Sequence, residues 1–346
     1  MKTVTVIGHF GFGKNCLDGQ TIKTKILTKE LEKQLGTENV NVLDTHGGKK
    51  ALPKLFFKTV SALRRSKSII MLPAHNGIKF FTPLLTFFNR FHKRKLFYVV
   101  IGGWLPKYLK EKKGLQKKLK TFDGIFVETK TMQLELEGMG FKNIFVMPNC
   151  KDLKVLSEEE LVYPDGEPYK LCTFSRVSKE KGIEDAVKAV MAVNGKIGRV
   201  VYKLDIYGQI DKNQTEWFSA LQATFPEYIQ YCGMVSFDKS VETLKNYFAL
   251  LFPTYYQGEG FAGTLIDAMA SGVPVVASKW KYNSEVVEEN KTGYLFDANN
   301  IEDLIRILLK IKENSEELFL MKKNCLEQAK NFLPENVIKI FIDKLK

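Results

Sequence analysis

The sequence predicts an α/β fold with two domains, each built on a parallel sheet that is covered by helices. Three observations support this prediction. The 346 residues, 45% of them hydrophobic, suffice for two cores at roughly 150 residues per domain. Short apolar runs alternate with helical or irregular segments along the chain. A polar, acidic stretch with two prolines, at 150–169, divides this alternation into two similar halves.

The first half predicts six strands and a helix at 20–35, where Ile22, Ile26, Leu27, Leu31 and Leu35 recur near helical spacing before Gly36. The strands are 3–8, 39–45, 68–74, 96–102, 124–129 and 143–149. In the second half the predicted strands are 170–175, 201–208, 229–234, 248–254, 273–278 and 293–297. The predicted helices there are 182–193, 213–224, 239–246, 263–271 and 301–312. Ligands of such sheets bind at the carboxyl ends of the strands, so we expect the site in a cleft between the domains.

The five cysteines are scattered, with no CxxC pair and no Cys/His ligand spacing. This pattern favours reduced thiols in the cytosol and argues against structural zinc. The N-terminus enters a predicted strand without the features of a signal peptide, and no apolar run reaches ~18 residues. We therefore expect a cytoplasmic protein without a transmembrane segment.

The net charge of +13 is unevenly distributed, because residues 1–150 hold 27 Lys and Arg against 10 Asp and Glu. A basic half is typical of proteins that meet nucleic acid, an acidic substrate or an anionic membrane. A solvated, lysine-rich surface is an equally good explanation. No RNP, zinc-finger or helix-turn-helix signature accompanies the charge, so we expect no nucleic-acid partner.

Two basic segments also contain aromatic residues. FFTPLLTFFNRFHKRK (80–95) joins Phe and Leu to four cations, and WLPKYLKEKKGLQKKLK (104–120) adds Trp104, Tyr108 and seven lysines. This combination suits the headgroup layer of an anionic membrane. The alternative is that 80–91 is a core helix with a basic end.

The stretch GHFGFGKN (8–15) is similar to a Walker A loop but lacks the Ser or Thr that ligates magnesium, because Asn15 follows Lys14. It also fails the dinucleotide fingerprint, which needs Gly or Ala where Cys16 stands. We therefore predict no nucleotide hydrolysis. A glycine-rich loop between strand and helix remains, whose amides can approach an anion.

The clearest motif of the second half lies between 251 and 287. Glu259, Gly260 and Phe261 form an acidic glycine turn, and Asp267 follows on the predicted helix eight residues after Glu259. A helix reached through glycines offers free N–H groups to a phosphate. An acid about one turn inside the helix can accept hydrogen bonds from two ribose hydroxyls.

Two cations follow the first strand of the same half. Arg176 and Lys181 lie in FSRVSKEKGIEDAV (174–187), beside a helix that Gly182 opens. Two cations beside a helix N-terminus form a diphosphate clamp. Each residue alone is better explained as an exposed or capping charge, and it is the combination that indicates a site.

Taken together and in this order, these motifs resemble the retaining glycosyltransferases of the GT-B fold, in the large group called family 4. The motifs are RVSKEKG at 176–182, YG at 207–208, CG at 232–233, EGF at 259–261, ASGVPVVAS at 270–278 and NSEVVEENKTGYLF at 283–296. The resemblance implies two Rossmann-like domains that face an interdomain cleft, with a C-terminal helix crossing back to the first. The domains are then 1–150 with 335–346, on the acceptor side, and 151–334, which binds the nucleotide sugar.

The resemblance also implies roles for single residues. Arg176 and Lys181 bind the donor diphosphate, in place of the metal ion of other glycosyltransferases, and Glu259 contacts the transferred sugar. The absence of a DxD motif agrees with metal independence. The residues that the resemblance implies for donor binding are Gly260, Phe261 and Ala262 through their amides, Asp267 at the ribose, where the family usually has Glu, and Gly19 in the glycine loop.

On the acceptor side we expect Gln20, which lies in the loop LDGQTIKT (17–24), together with His75 and Trp104. His75 follows a predicted strand, and a hydrogen-bonded structural role is its alternative interpretation. VVIGGWL (99–105), which contains Trp104, occupies the place of the family's common active-site histidine. No catalytic histidine is therefore assigned.

The resemblance implies a retaining, metal-independent hexosyltransferase that needs no cofactor. Its donor is a nucleotide-diphosphate sugar, a UDP-sugar, and its acceptor is a glycan or a polyprenyl-diphosphate-linked sugar. Such acceptors belong to capsule, exopolysaccharide or lipopolysaccharide biosynthesis, so we expect a cytoplasmic protein, peripheral on the inner face of the membrane. The alternatives are a non-catalytic GT-B partner subunit of a paired glycosyltransferase and a GT-B epimerase or phosphorylase.

The last segment, FLPENVIKIFIDKLK (332–346), predicts a helix with a dense apolar face. In the resembled fold this helix packs on the first domain. A membrane-binding tail is the competing interpretation, favoured by Lys339, Lys344 and Lys346.

Overall fold

A computed structural model describes residues 2–13, 19–47 and 51–345. The chain forms two compact units. Unit 1 consists of Met1–Asp152 and Leu333–Lys346, and unit 2 consists of Leu153–Phe332. The part of the glycine loop that contains Lys14, Asn15 and Cys16 lies outside the described residues, as do residues 17 and 18 of LDGQTIKT.

Unit 1 is built on a six-stranded parallel sheet. Its strands are β1 (Lys2–Gly8), β2 (Val40–Asp44), β3 (Ser66–Met71), β4 (Lys95–Val99), β5 (Gly124–Val127) and β6 (Ile144–Val146). The helices between them are α1 (Gly19–Leu35), α2 (Leu52–Arg65), α3 (His75–His92), α4 (Leu105–Leu109), α5 (Lys113–Leu119) and α6 (Lys130–Glu137). The strand order is β2-β1-β3-β4-β5-β6, so the chain order reverses beside β1, where ligands of open sheets bind.

Unit 2 repeats this architecture with its own six parallel strands. They are β7 (Tyr169–Phe174), β8 (Tyr202–Tyr207), β9 (Ile229–Gly233), β10 (Ala249–Phe252), β11 (Val275–Ser278) and β12 (Gly293–Phe296). Its helices are α7 (Ile183–Ile197), α8 (Thr215–Gln222), α9 (Ser240–Leu244), α10 (Gly263–Ala270), α11 (Asn283–Val286), α12 (Ile301–Glu313) and α13 (Ser315–Lys330). The strand order β12-β11-β10-β7-β8-β9 places β7 beside β10.

The final helix, α14 (Pro334–Leu345), packs on unit 1. Val337, Ile338 and Phe341 are buried in the core of that unit. The ring of Phe341 lies 4.7 Å from the ring of Phe126 and 5.3 Å from that of Phe97, measured between centroids. The return of the last helix to the first domain is therefore confirmed, and so is the α/β fold with two parallel sheets. None of the described helices is both long enough and apolar enough to cross a bilayer.

Candidate functional site

The candidate donor site lies in unit 2 at the carboxyl ends of β7 and β10. These strands are parallel neighbours, so the loops that follow them meet at one edge of the sheet. A cavity of about 280 Å³ opens there. Its lining includes Arg176 and Lys181 after β7, and Glu259, Ala262 and Thr264 after β10.

Lys181 and Glu259 form an ion pair at this cavity. The Lys181 Nζ lies 2.6 Å from Glu259 Oε2, and the two side chains are only 15% and 8% exposed. The Lys181 ammonium also lies over the rings of Tyr256 and Phe252, at 5.1 and 5.5 Å from their centroids. Two opposite charges this well shielded from water are held together more strongly than a surface pair.

Thr254 orients the carboxylate of Glu259. Its hydroxyl donates a hydrogen bond to Glu259 Oε2 at 2.8 Å, and the same oxygen accepts from Lys181. The carbonyl of Thr254 accepts in turn from the Ser278 hydroxyl at 2.6 Å, at the end of β11. The loops after β7 and β10 therefore fix one carboxylate oxygen, and the end of β11 supports Thr254, while Oε1 carries neither of the two bonds from Lys181 and Thr254.

Gly182 lets the loop with Lys181 approach β10. Its φ of 71° lies in the left-handed region, and a Cβ built on it would lie 2.1 Å from the carbonyl oxygen of Pro253. Only glycine fits such a contact without displacement. The nearby amide of Tyr255 donates to the carbonyl of Glu180 at 2.8 Å. The glycine thus positions Lys181 within reach of Glu259.

Arg176 is the more exposed cation of the predicted clamp. Its side chain is 62% exposed, and its guanidinium lies 3.7 Å from the carboxylate of Asp211, which also lines the cavity. An exposed contact at this distance contributes little free energy. The guanidinium can therefore leave Asp211 for a phosphate at small cost.

The turn before α10 presents backbone groups to the same cavity. No side chain caps the N-terminus of α10 at Ala262. The ring of Phe261 is buried against Phe332, with centroids 5.0 Å apart, and Phe261 is not among the residues that line the cavity. The Thr264 hydroxyl donates to the carbonyl of Phe174 at 2.6 Å, which ties the first turn of α10 to the end of β7. Gly260 precedes this turn and is partly exposed.

Asp267 lies deeper, on α10 itself. It is 2% exposed, and its Oδ1 accepts a hydrogen bond from the Ser240 hydroxyl at 2.9 Å. The residues that line the 280 Å³ cavity do not include it. A ribose that bound here would have to share this carboxylate with Ser240, so the role of Asp267 stays a prediction.

A second pocket of about 220 Å³ adjoins the first, because Phe174 and Ser175 line both. Its other walls come from the ends of β8 and β9 and include Tyr207, Gly208 and Met234. The surface is mostly apolar, since two aromatic rings and a methionine contribute to it. Such a pocket accommodates a flat ring better than a charged group.

In unit 1 the backbone amides of the glycine-rich loop donate hydrogen bonds to a carboxylate of the protein itself. The amides of Phe10 and Phe12 donate to the two oxygens of Asp44 at 2.9 and 3.0 Å. Partial burial acts to raise the pKa of Asp44, but hydrogen bonds from the amides of His46, Phe10, Phe12 and Gly11 outweigh it and lower the pKa. Asp44 is thus ionised and occupies amides that the sequence left open for an external anion.

The predicted acceptor-side residues meet at a cavity of about 570 Å³ in unit 1. Gln20 and His75 line it, and the ring of Trp104 lies 3.9 Å from that of His75. Partial burial, together with the charges of Lys79 and Lys112, lowers the pKa of His75, so its ring is neutral at pH 7. Gly19 begins α1, and no atom lies within 4 Å of a Cβ built on it.

Sequence reasoning missed several residues of these sites. His9 lines the 570 Å³ cavity, with its Nδ1 2.8 Å from the Thr21 hydroxyl and its Nε2 3.1 Å from His46 Nδ1. Thr254 was included in a predicted strand, whereas it lies in the loop after β10. Its position at the carboxyl end of a parallel strand was the available signal. The contacts of His9 leave no signal in the sequence, because its two partners come from distant segments.

The chain is similar to known glycosyltransferases both in sequence and in fold. Over 213 residues, 61% of this chain, it is 26% identical to an uncharacterized glycosyltransferase of Methanocaldococcus jannaschii. Over 210 residues, 58% of this chain, it is 27% identical to the GtfA subunit of the UDP-N-acetylglucosamine–peptide N-acetylglucosaminyltransferase of Streptococcus gordonii. The chain covers 50% and 40% of the lengths of these two relatives.

The solved structure of the lipopolysaccharide outer core galactosyltransferase WaaB superposes with a TM-score of 0.75 over 99% of both chains, at 14% identity. This likeness supports the two-domain fold. The model of the family Glycosyl transferases group 1 matches residues 160–332, which is half of the chain and contains Arg176, Lys181 and Glu259. The predicted resemblance to GT-B glycosyltransferases is thereby confirmed, and the chain belongs to the family Glycosyl transferases group 1.

Proposed function

We propose that this protein transfers a sugar, with retention of anomeric configuration, from a nucleoside-diphosphate sugar to a glycan or lipid-linked acceptor. The observation that carries the proposal is the Lys181–Glu259 pair at the mouth of a 280 Å³ cavity that Arg176 also lines. A cation for the diphosphate and a carboxylate for the sugar hydroxyls are placed side by side there. This arrangement supports the roles that the resemblance to retaining family 4 enzymes implies for these residues.

In the proposed reaction the bond from the sugar C1 to the diphosphate oxygen breaks as the acceptor oxygen bonds to C1 from the same face. The acceptor proton passes to the leaving diphosphate, so no strong protein base is needed. Arg176 and Lys181 stabilise the negative charge that grows on the diphosphate. Glu259 fixes the sugar through its hydroxyls, and Thr254 fixes Glu259.

The two cations take the part that a metal ion has in other glycosyltransferases, and we propose that neither a metal nor a cofactor is required. Amides of Gly260, Phe261 and Ala262 support the sugar and phosphate. We place the nucleotide base in the 220 Å³ pocket and the ribose toward Asp267, with Gly19 near the phosphates. UDP is the proposed nucleotide, because the Streptococcus gordonii relative is named for a UDP-sugar donor.

For the acceptor we propose the 570 Å³ cavity of unit 1, with Gln20, His75 and Trp104 as contacts. The resemblance to the lipopolysaccharide galactosyltransferase supports a role in capsule, exopolysaccharide or lipopolysaccharide biosynthesis. We place the reaction in the cytoplasm, where the four described cysteines, all free thiols, stay reduced.

A screen of UDP-, GDP- and ADP-sugars tests the proposal, with release of the nucleoside diphosphate measured with and without glycan acceptors. We expect release only when an acceptor is present, and an α-linked product from an α-linked donor by NMR. Donor turnover without an acceptor would indicate an epimerase or hydrolase, and a need for inorganic phosphate would indicate a phosphorylase. The absence of both binding and turnover for every donor would favour a non-catalytic partner subunit, as in paired glycosyltransferases.

A further inference from the structure

The outward faces of α2 and α3 carry three large exposed aromatic side chains. Phe57 is 71% exposed, Phe87 53% and Phe91 74%. A single exposed phenylalanine is ordinary on a protein surface, but a cluster of them marks a place where something binds.

The three rings belong to one continuous aromatic surface. Phe57 touches Phe56 edge-on, with centroids 5.4 Å apart, and Phe56 touches Phe88 of the other helix at 5.6 Å. Phe88 then contacts Phe87 at 5.1 Å, and Phe87 lies 6.3 Å from Phe91. The half-buried Phe56 and Phe88 thus join the exposed rings of two helices into what we call the Phe surface, made of Phe56, Phe57, Phe87, Phe88 and Phe91.

Helical periodicity places cations beside these rings. α2 buries Leu55, Thr59 and Ala62, which turns the opposite stripe with Lys54, Phe57 and Lys58 toward solvent. These outward positions follow the spacing i, i+3 and i+4, so they share one face of the helix.

α3 shows the same pattern. It buries Phe81 and Leu85, and its outward stripe holds Phe87, Arg90 and Phe91 at the same spacing. Rings and exposed cations therefore alternate on both helices.

The stretch of sequence that contains the Phe surface carries one sign of charge. Between Asp44 and Glu111 the sequence holds fourteen Lys and Arg and no Asp or Glu. α2 and α3 lie entirely within this stretch. Because no acid of the stretch offsets these cations, the surface presents a positive field around its aromatic side chains.

We propose that the Phe surface docks unit 1 on an anionic lipid bilayer. Phenylalanine rings partition into the boundary between headgroups and acyl chains, while adjacent Lys and Arg contact anionic headgroups. A second copy of the chain fits this surface poorly, since it would bring two positive fields together. This docking is a property of unit 1 beyond the proposed transfer reaction, and it does not depend on the donor.

The test measures co-sedimentation of the full chain with two kinds of vesicle, pure phosphatidylcholine and a mixture of one part phosphatidylglycerol to two parts phosphatidylcholine. We expect binding to the anionic vesicles that weakens at high salt, because salt screens the headgroup charges. The variant Phe57→Ser/Phe91→Ser should lose at least about tenfold in affinity for the anionic vesicles, because the two missing rings no longer bury apolar surface in the bilayer. Lys58→Gln/Arg90→Gln should lose about fivefold per cation removed.

The matched control is Leu320→Ser, which removes a side chain of unit 2 that is 75% exposed and should leave vesicle binding unchanged. Circular dichroism and urea unfolding of every variant, measured without vesicles, show that unit 1 is folded and keep this test separate from the transfer reaction. Equal binding to both kinds of vesicle, or unchanged binding by the double Phe variant, would overturn the proposal. So would a dimer in solution that the double Phe variant converts to monomer, because the surface would then join two copies of the chain.

Discussion

Lys181 and Glu259 come from loops after different strands, and their charged atoms lie 2.6 Å apart with both side chains largely buried. The pair therefore does two things. It holds the loops after β7 and β10 together. In the proposed function it also keeps the ammonium group of Lys181 at the cavity, where the diphosphate of the donor can bind it. The proposed binding step then exchanges a carboxylate partner for a phosphate partner at the same ammonium group.

This exchange predicts opposite effects on nucleotide binding for the two partners. In Glu259→Gln the ammonium of Lys181 loses its competing carboxylate, so UDP should bind as tightly as in the original protein or up to about tenfold more tightly. Sugar transfer should fall at least about 100-fold, because the sugar loses its carboxylate. Calorimetry with UDP and turnover with donor and acceptor measure the two effects.

For Lys181 the informative variant is Lys181→Met/Glu259→Gln, since Lys181→Met alone would strand a buried carboxylate. The double variant should fold and lose most UDP affinity. Arg199→Ala, which removes a cation that pairs with Glu167 away from the cavity, is the control and should bind UDP normally. Normal UDP affinity in the double variant would show that Lys181 is not part of the clamp.

Thr254 offers a separate test of how Glu259 is held. Thr254→Val keeps the shape of the side chain and removes the hydroxyl that donates to Glu259 Oε2 at 2.8 Å and accepts from the amide of Tyr256 at 3.2 Å. We expect kcat to fall about tenfold, as for one lost hydrogen bond to a charged group, with UDP affinity unchanged. An equal loss in both quantities would mean that Thr254 supports the loop as a whole and not the carboxylate.

Gly182 and Gly198 together test the close approach of Gly182 to the carbonyl of Pro253. Both have left-handed φ, 71° and 78°, but a Cβ on Gly198 meets nothing within 4 Å. Gly198→Ala should cost about 1 kcal/mol of unfolding free energy, from backbone strain alone. Gly182→Ala should cost about 3 kcal/mol, because it adds the clash with Pro253, and should weaken UDP binding by displacing Lys181. Urea unfolding measures the loss of unfolding free energy in each variant, and calorimetry measures UDP binding. Equal losses of unfolding free energy would contradict the close approach of Gly182 to Pro253.

The packing of α14 predicts a large loss from one ring. Phe341 is fully buried between Phe97 and Phe126, so Phe341→Ala should lower the unfolding free energy of unit 1 by about 3–5 kcal/mol. Ile340, its neighbour on the same helix, is 39% exposed, and Ile340→Ala should cost less than about 1 kcal/mol. Similar small losses for both variants, by denaturant titration, would contradict the packing of α14 on unit 1.

Lys322, on α13, predicts a stability that depends on pH. Its side chain is fully buried, with Nζ donating to the carbonyl of Gly272 at 3.2 Å, and burial lowers its pKa to about 8. At pH 7 the folded protein must keep this charge buried. Lys322→Met removes the charge and one hydrogen bond, and should raise the unfolding free energy by about 2 kcal/mol.

The sign of this effect follows from proton binding. Between pH 8 and about pH 10.5 the unfolded lysine is protonated and the folded one is neutral, so the original protein gains stability as the pH rises. The advantage of Lys322→Met should therefore shrink from pH 7 to pH 10. Denaturant unfolding of both proteins at pH 7 and at pH 10 measures this advantage. A difference in unfolding free energy that does not change with pH would contradict the lowered pKa of Lys322.

The sequence predicted strands better than helices. All twelve strands lie where apolar runs indicated them, because a strand buried on both faces is a nearly continuous apolar run. The helices that were not predicted are α2, α4, α5, α6, α11 and α13. α2 buries one face only, with Thr59 among its inward residues, so its apolar signal is diluted by exposed Lys, Arg and Phe.

The candidate site was predictable where a motif specifies backbone geometry. Gly182 and the EGF turn at 259–261 mark the two loops that meet, and the structure brings Arg176, Lys181 and Glu259 to one cavity. The contacts of Thr254 and of Asp44 were not predictable, because they join segments far apart in sequence through single hydrogen bonds. Spacing along the chain carries no information on such partners.

The attachment of α14 to unit 1 also sets an order of events during synthesis. A ribosome delivers residues 2–152 first, but the core around Phe97 and Phe126 lacks Phe341 until all of unit 2 has been made. Domains commonly fold as they emerge, one after another. Here the first unit to emerge is the last to be complete, so the nascent chain carries an open apolar groove along α1 and β4 for the whole time that unit 2 is translated.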